Sequence, residues 1–269
     1  MSGEGVKVWE RTVVKPTYRV LSEDPIPYFE SRHYPYTKLT HFDSRPTPLK
    51  YKEVVIENEH LQVIFRPELG ARLFSAFDKI SNSQIFNYID TIRPTLIAIR
   101  GAWIAVGIEF NLCQFPSHTV DNFSPVDYIF RKNDDGSASI LLGNLNLTNN
   151  VRYLVTITLR PKTSRIETEI RTFNTDLIPQ RYYFWSNAAI PASDGLRIFY
   201  PGYHTNYGSF PVNERGVDLS WYKNYIRSAS LFMLDSEEDF FAAYNYDNGR
   251  GVVHVADHNI IPGKKFFTW

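Results

Sequence analysis

The sequence has a single cysteine, no formal net charge and no long apolar run. Its one cysteine, Cys113, excludes a disulfide within the chain, and the thiol is expected to pack as a small apolar side chain. Lys plus Arg and Asp plus Glu are equal at 29 each, and no basic tract is present, which argues against a nucleic-acid ligand. No apolar run reaches about 18 residues, and the first residues lack the apolar core of a signal peptide. We therefore expect a cytoplasmic protein that binds neither nucleic acid nor a membrane.

Amphipathic helical patterns of three or more turns are also missing, whereas short alternating segments are frequent. One of them places Ile166, Thr168 and Ile170 on one face, which is the period of a half-buried antiparallel strand. The turn signal Asp134-Asp135-Gly136 separates two strand-like segments and predicts a hairpin. These patterns predict one large, mostly antiparallel all-β domain.

Residues 1–50 differ in composition from the rest of the chain. Between residues 15 and 50, four tyrosines are interspersed among six prolines: Pro16, Tyr18, Pro25, Pro27, Tyr28, Tyr34, Pro35, Tyr36, Pro46 and Pro48. Proline removes donors from a β-ladder, and tyrosine supplies adhesive surface. Residues 1–50 are therefore predicted to form an extended arm that packs on a body formed by residues 51–269.

A glutamate, an asparagine and a histidine occur within ten residues, behind the glycine-punctuated apolar run 101–108. They are Glu109, Asn111 and His118. A carboxylate that enters a pocket can act as a general acid or base, and an imidazole is suited to proton transfer near neutrality. The plainer alternatives are an exposed histidine and a structural salt bridge from Glu109 to Arg72 or Arg100. Arg72 has a planar fork of donors that suits either sugar hydroxyls or such a carboxylate partner.

Aromatic residues make up 15% of the chain. They point towards a sugar as the ligand of a cleft that contains Glu109 and His118. Trp103, Trp185, Trp221 and Tyr222 are candidates to stack on the apolar faces of sugar rings, although core packing is the usual role of such side chains. Trp221 is the preferred candidate because its neighbours in the sequence are polar. Asn187 offers two donors and an acceptor to a hydroxyl group.

His254 and His258 have a spacing that would suit a metal ion on a helix. Their surroundings are strand-like, however, and residues four apart on a strand lie roughly 13 Å apart. We therefore expect no metal site here; His254 is assigned to the lining of the cleft, with a purely structural role as the alternative. Nucleotide-binding and serine-hydrolase fingerprints are absent from the sequence, so no cofactor is expected.

Several blocks of the chain resemble a known family. Residues 63–73 (VIFRPELGARL) are similar to a segment near the start of galactose-mutarotase-like β-supersandwich proteins, and more closely to domain of unknown function 5107, which is often found ahead of tetratricopeptide repeats. Further blocks that carry the resemblance are 107–111, 124–128, 184–191, 218–224, 251–258 and 262–265.

The resemblance implies an antiparallel β-supersandwich with a carbohydrate in a cleft on a concave sheet. The residues assigned to that cleft are Arg72, Glu109, Asn111, His118, Asn187, Trp221, Tyr222 and His254. An enzyme of this kind, a sugar epimerase, a mutarotase or a glycoside-cleaving enzyme, would transfer a proton at an anomeric carbon or glycosidic oxygen. His118 would be the acid and Glu109 the base or stabiliser.

The rival hypotheses are a non-catalytic glycan-binding or protein-interaction module and a structural domain that docks a partner through the arm. The sequence departs from the mutarotase pattern, because Ser186-Asn187-Ala188 occupies the neighbourhood of a catalytic histidine. The resemblance also implies a further acidic strand after the Lys264-Lys265 segment. We therefore expect a partner chain or a repeat domain to complete the C-terminal side.

Overall fold

The computed structural model describes residues 5–24, 33–112 and 118–268, and strands dominate these ranges. The described residues contain no α-helix, and short 3-10 turns occur at Pro67–Leu69 and Tyr222–Asn224. Within the same ranges, no helical segment has the length and apolar character needed to cross a membrane. The prediction of an antiparallel all-β fold is confirmed. Residues discussed above that lie outside the described ranges are Pro25, Pro27, Tyr28 and Cys113.

The chain divides into two compact units, Met1–Ile190 and Pro191–Trp269. The strands of the first unit are β1 (Lys7–Thr17), β2 (Val20–Asp24), β3 (Lys38–Phe42), β4 (Thr47–Glu57), β5 (Leu61–Phe65), β6 (Arg72–Asp78), β7 (Ser83–Gln84), β8 (Thr95–Ala98), β9 (Gly101–Trp103), β10 (Ile108–Leu112), β11 (Asp127–Lys132), β12 (Ala138–Asn146), β13 (Val151–Leu159), β14 (Ile166–Asn174) and β15 (Phe184–Ala188). Those of the second unit are β16 (Leu196–Phe199), β17 (His204–Thr205), β18 (Gly208–Ser209), β19 (Ala229–Met233), β20 (Phe240–Asn245), β21 (Arg250–Val255) and β22 (Lys264–Thr268).

The main sheet of the first unit has the order β1-β4-β5-β6-β10-β15, with β7 paired to β6. The first 50 residues contribute to this sheet, because β1 pairs with β4 from Lys7 opposite Glu57 to Thr17 opposite Thr47. Pro16 fits within β1 because β1 is the edge strand, where a missing backbone donor breaks no ladder. The boundary between the two compact units falls at Ile190.

A second sheet of the first unit has the order β11-β12-β13-β14. The predicted hairpin joins β11 to β12, and Gly136 supplies the left-handed conformation of the turn with φ +80°. Alternate residues of β13 are buried, namely Val151, Tyr153, Val155, Ile157 and Leu159. This alternation builds one apolar face of the first unit.

A charged pair also lies inside the first unit. The Arg66 guanidinium donates to the Glu53 carboxylate at 2.7 Å and lies 4.0 Å from the centre of the Phe74 ring. Arg66 and Glu53 are each 1% exposed, so the pair is dry and structural. The apolar cluster beside it comprises Tyr51, Leu69, Phe74, Ile92, Ile104 and Val106.

The second unit contains two sheets, with the orders β16-β20-β21 and β18-β17-β19-β22. Its apolar cluster comprises Ile198, Tyr200, Phe210, Leu219, Leu231 and Met233. Lys264 pairs with Met233 across β19 and β22, and it is 4% exposed. Its ammonium group has no hydrogen-bond partner among the described residues.

Candidate functional site

The site begins with a row of polar side chains across three neighbouring strands. Glu109 on β10 lies directly opposite Arg72 on β6 and directly opposite Asn187 on β15. Side chains that are directly opposite in antiparallel strands share a face and lie about 5 Å apart at Cβ. The register therefore brings a cation, an anion and an amide together in the main sheet.

Gly107 allows β10 to approach β6 closely at this point. Its φ is +56°, and a Cβ atom at this position would overlap the carbonyl oxygen of Leu73. Its N–H donates to the Asn87 carbonyl at 3.0 Å, and its carbonyl accepts from the Ala189 N–H at 2.9 Å. Glycine is required here both for the backbone conformation and for the space.

Five side chains direct donors at the Glu109 carboxylate. Oε1 is 3.2 Å from Arg72 Nη2, and it also accepts from the Asn122 amide. Oε2 accepts from Asn187 Nδ2 and contacts His118 Nδ1, both at 3.0 Å, and the Trp103 Nε1–H lies 3.1 and 3.2 Å from the two oxygens. We call these six residues the Glu109 network. Glu109 is 2% exposed, so protein donors replace the water that a carboxylate normally binds.

The network keeps Glu109 ionised. Burial raises the pKa of Glu109, but the Arg72 charge and the His118 hydrogen bond outweigh it and lower the pKa to about 2. An ionised carboxylate of such low basicity is a poor proton acceptor near neutral pH. Of the two roles predicted for Glu109, the geometry favours the stabiliser over the base.

Arg72 is held as firmly as its partner. Its Nη1 donates to the carbonyl oxygens of Ile104 and Val106 at 2.8 and 2.9 Å, and its Nη2 donates to Asn122 Oδ1 at 3.0 Å. Burial lowers the pKa of Arg72 and the Glu109 charge raises it. The guanidinium remains charged. Its side chain is 3% exposed, so it supports Glu109 and offers no free fork to a ligand.

The His118 ring packs against two indoles. Its centroid is 5.5 Å from that of Trp103 and 4.9 Å from that of Trp185. The His118 side chain is 15% exposed, whereas Glu109 and Arg72 are each 3% exposed. Within the described part of the network, His118 is thus the titratable group that reaches the surface. We call Trp103, His118 and Trp185 the imidazole–indole face.

The loop that follows His118 is tied to the sheets by polar contacts. Asn111 Oδ1 accepts from the Thr119 N–H at 2.8 Å, and Arg100 donates to the Val120 carbonyl at 3.0 Å. Asp121 is 1% exposed and accepts from the Tyr153 hydroxyl at 2.7 Å. Burial raises the pKa of Asp121, while the hydrogen bond from Tyr153 lowers it to a smaller extent. Asn111 therefore supports the position of the loop that carries His118, and its side chain also helps to lower the pKa of Glu109.

Five of the predicted site residues lie in the first unit, and the other three lie in the second. The Trp221 ring lies 5.2 Å from the Arg197 guanidinium carbon and 5.1 Å from Lys223 Nζ. Tyr222 begins a 3-10 turn, and the His254 ring packs 5.5 Å from Phe241.

Sequence reasoning missed two members of the Glu109 network. No sequence pattern marks Asn122 as a partner of Glu109, because its loop approaches Glu109 only in the folded protein. Trp103 was expected to stack on a ligand, and its role as a hydrogen-bond donor to Glu109 was not predicted. Trp103 and Glu109 are six positions apart, on either side of the turn at Gly107, and this separation offered no periodic signal.

One group of side chains in the second unit has ligand atoms close enough to hold a metal ion. Asp239, Asp257 and His258 each offer one atom, and these atoms lie within 4.8 Å of one another. His258 Nδ1 already bonds to Asp239 Oδ1 at 2.8 Å, and both aspartates are exposed. A surface hydrogen bond accounts for this arrangement. His254 lies on β21 and is not a member of the group, whereas His258 lies in a turn beyond the end of that strand.

These features define an antiparallel all-β protein whose first unit carries a buried carboxylate beneath an imidazole and two indoles. The chain belongs to the family of the domain of unknown function DUF5107, whose model matches residues 30–269. Because the match reaches the last residue, the expectation that the family pattern lacks its C-terminal strand is not borne out.

The chain is also similar to a crystal structure of a TPR-domain-containing protein from Parabacteroides distasonis ATCC 8503, solved at 2.26 Å. The TM-score is 0.85 at 23% sequence identity. The match covers 100% of this chain and 47% of that protein, so this chain spans less than half of its length. At this identity the likeness establishes the fold.

Proposed function

We propose that the first unit binds a carbohydrate on the imidazole–indole face. The observation that carries this proposal is a partly exposed imidazole that packs against two indoles and is held by Glu109 through its Nδ1 atom. Indole rings pack against the C–H faces of sugars, and an imidazole nitrogen exchanges hydrogen bonds with sugar hydroxyls. A few convergent polar groups in an aromatic setting are typical of small-molecule sites.

We further propose proton transfer at an anomeric centre or glycosidic oxygen as the chemistry of this face. The resemblance of residues 63–73 and of the later blocks to galactose-mutarotase-like proteins supports this reaction class. His118 is the group that would exchange the proton, because it is the titratable member of the network with access to a ligand. Glu109 would stabilise the imidazolium that forms when His118 accepts the proton.

The second candidate is a non-catalytic glycan-binding or interaction module. The saturation of Glu109 by protein donors favours it, because a second proton-transfer group is not offered by the described network. The similarity to part of a TPR-domain-containing protein fits a domain that serves a larger assembly. A partner chain or repeat domain beside this one remains part of the proposal.

A sugar-binding screen tests both candidates. Wild-type protein would be screened on a glycan array and hits quantified by calorimetry, with Trp185→Ala as the probe and Phe173→Ala, an exposed aromatic on β14, as the matched control. We expect Trp185→Ala to weaken binding by about tenfold or more and the control to leave it unchanged.

The hits would then be followed by NMR anomer exchange and by reducing-end assays. Turnover that is lost in His118→Asn supports the enzyme. Binding without turnover supports the module. An absence of binding across the array would defeat both carbohydrate proposals.

A further inference from the structure

We propose that Glu109 is a positioning residue that holds neutral His118 in the tautomer with the hydrogen on Nδ1, so that Nε2 presents a lone pair to the ligand. In this arrangement Glu109 exchanges no proton with the ligand, and Nε2 of His118 is the atom that accepts a hydroxyl hydrogen. The proposal rests on the proposed carbohydrate function only for the identity of that hydroxyl.

The hydrogen bond between the two residues fixes the donor. Nδ1 of His118 is 3.0 Å from Oε2 of Glu109. An ionised carboxylate can only accept, and an Nδ1 lone pair facing it would place two acceptors in contact. Nδ1 must therefore carry the hydrogen, and in the neutral ring Nε2 is left without one.

The other network members ensure that Glu109 is the ionised partner. Arg72 lies 3.2 Å from Oε1, and the Asn187 amide donates to Oε2 at 3.0 Å. The Trp103 indole N–H lies between the two carboxylate oxygens at 3.1 and 3.2 Å. A proton on Glu109 would have to point at one of these donors, so protonation is opposed by geometry as well as by the Arg72 charge.

The indoles hold the ring in place. The Trp103 and Trp185 planes are inclined to the His118 plane by 55° and 60°, and both centroids lie within 5.5 Å. A ring flip would replace Nδ1 by a carbon at the carboxylate and lose the hydrogen bond. Nδ1 thus stays directed at Glu109, and Nε2 lies on the other side of the ring.

This orientation specifies the class of ligand. The charges of Glu109 and Arg72 offset each other, and Asp121 on the His118 loop is turned to Tyr153 and Asn144. A neutral imidazole with a free Nε2 lone pair accepts a hydrogen bond from a hydroxyl and repels a carboxylate. The face therefore suits a neutral sugar better than an acidic one.

The test is long-range 1H–15N correlation NMR of histidine-labelled wild-type protein without any ligand. The signal of His118 is assigned by its loss in His118→Asn. We expect a protonated-type shift for Nδ1 and a lone-pair-type shift for Nε2, with a preference of at least about tenfold, the ratio that a charge-assisted hydrogen bond provides. The opposite tautomer, or a mixture like that of free histidine, would overturn the proposal.

The same NMR measurement on Glu109→Gln is a second test, because this substitution should weaken the preference of His118 for the Nδ1–H tautomer. Unchanged tautomers in a folded Glu109→Gln protein would show that Glu109 does not set them. If this variant does not fold, the wild-type spectrum decides alone. An Nδ1–H tautomer together with a negative glycan screen would refute the proposed carbohydrate function but would still support the positioning role of Glu109.

Discussion

A buried carboxylate persists as an anion only where donors and a cation offset its lost hydration. Glu109 has both, because Arg72 supplies the charge and the neighbouring amide, indole and imidazole groups supply the donors. Arg72 in turn is anchored on two backbone carbonyl oxygens. The two residues are therefore energetically coupled, and removing either charge leaves the other buried without a counter-charge.

Glu109→Gln should destabilise the protein by about 3–5 kcal/mol, the usual cost of breaking a buried ion pair. The Gln amide would turn an NH2 group towards donors that it cannot satisfy. Urea unfolding would measure the loss. The matched control is Glu57→Gln, a partly exposed carboxylate that pairs with Lys79, for which we expect a loss of under about 1 kcal/mol. Equal losses in the two variants would contradict this account.

The same carboxylate gives a pH dependence of stability with a defined sign. The pKa of Glu109 is about 2 in the folded protein and ordinary in the unfolded chain, so its contribution is present above the unfolded value. It is lost as the pH falls from about 4.3 towards 2, and its full size is roughly 3 kcal/mol. Free energies of unfolding at pH 6 and pH 3 would be compared between wild type and Glu109→Gln. The wild type should lose more, and identical losses would exclude this role.

At the scale of elements, the site depends on the register of β6, β10 and β15. A shift of one residue would turn Glu109 to the opposite face of its strand and separate it from Arg72 and Asn187. The turn at Gly107 sets where β10 begins, because its backbone groups bond to Asn87 and Ala189. One glycine thus fixes the position of the strand that carries Glu109.

Gly107→Ala should cost about 2–4 kcal/mol, because a Cβ atom meets the Leu73 backbone and the conformation is left-handed. Thermal unfolding would measure the loss, and the His118 NMR signals would shift with the displaced strand. Gly263→Ala is the control, since no heavy atom lies within 4 Å of an added Cβ there. A Gly107→Ala protein as stable as the Gly263→Ala protein would refute the steric argument.

At the scale of the whole molecule, two compact units each enclose an apolar cluster of their own. All members of the Glu109 network belong to the first unit. The second unit contains Lys264, whose buried ammonium group lacks a hydrogen-bond partner among the described residues. Burial lowers the pKa of Lys264, while the Asp239 and Glu238 charges raise it to a smaller extent.

Lys264→Met should stabilise the second unit by about 1–3 kcal/mol, because it removes a buried polar group without a partner and keeps the apolar stem. Hydrogen exchange would locate the added protection in residues 191–268. The neighbouring Lys265→Met is the control: Lys265 is exposed, with its ammonium group over Phe232, and we expect a change within about 0.5 kcal/mol. A loss of stability in Lys264→Met would show that the ammonium group has an essential partner.

The sequence by itself determined the class of fold and much of its local structure. The alternation of residues 166–170, the turn at Asp134-Asp135-Gly136 and the absence of helical periodicity were sufficient, because side-chain alternation and turn chemistry depend on neighbours in the chain. The segment around Glu109 and His118 was recognisable for the same reason.

Only the tertiary structure decided that Arg72, Trp103, Asn122 and Asn187 meet at Glu109, and that the compact units divide at Ile190. Strand register joins residues that are far apart in the sequence, such as Glu109 and Asn187 at 78 positions, and no local pattern encodes such a pairing. The ionisation of Glu109 follows from that convergence, because a pKa responds to the charges and donors that surround a group in space.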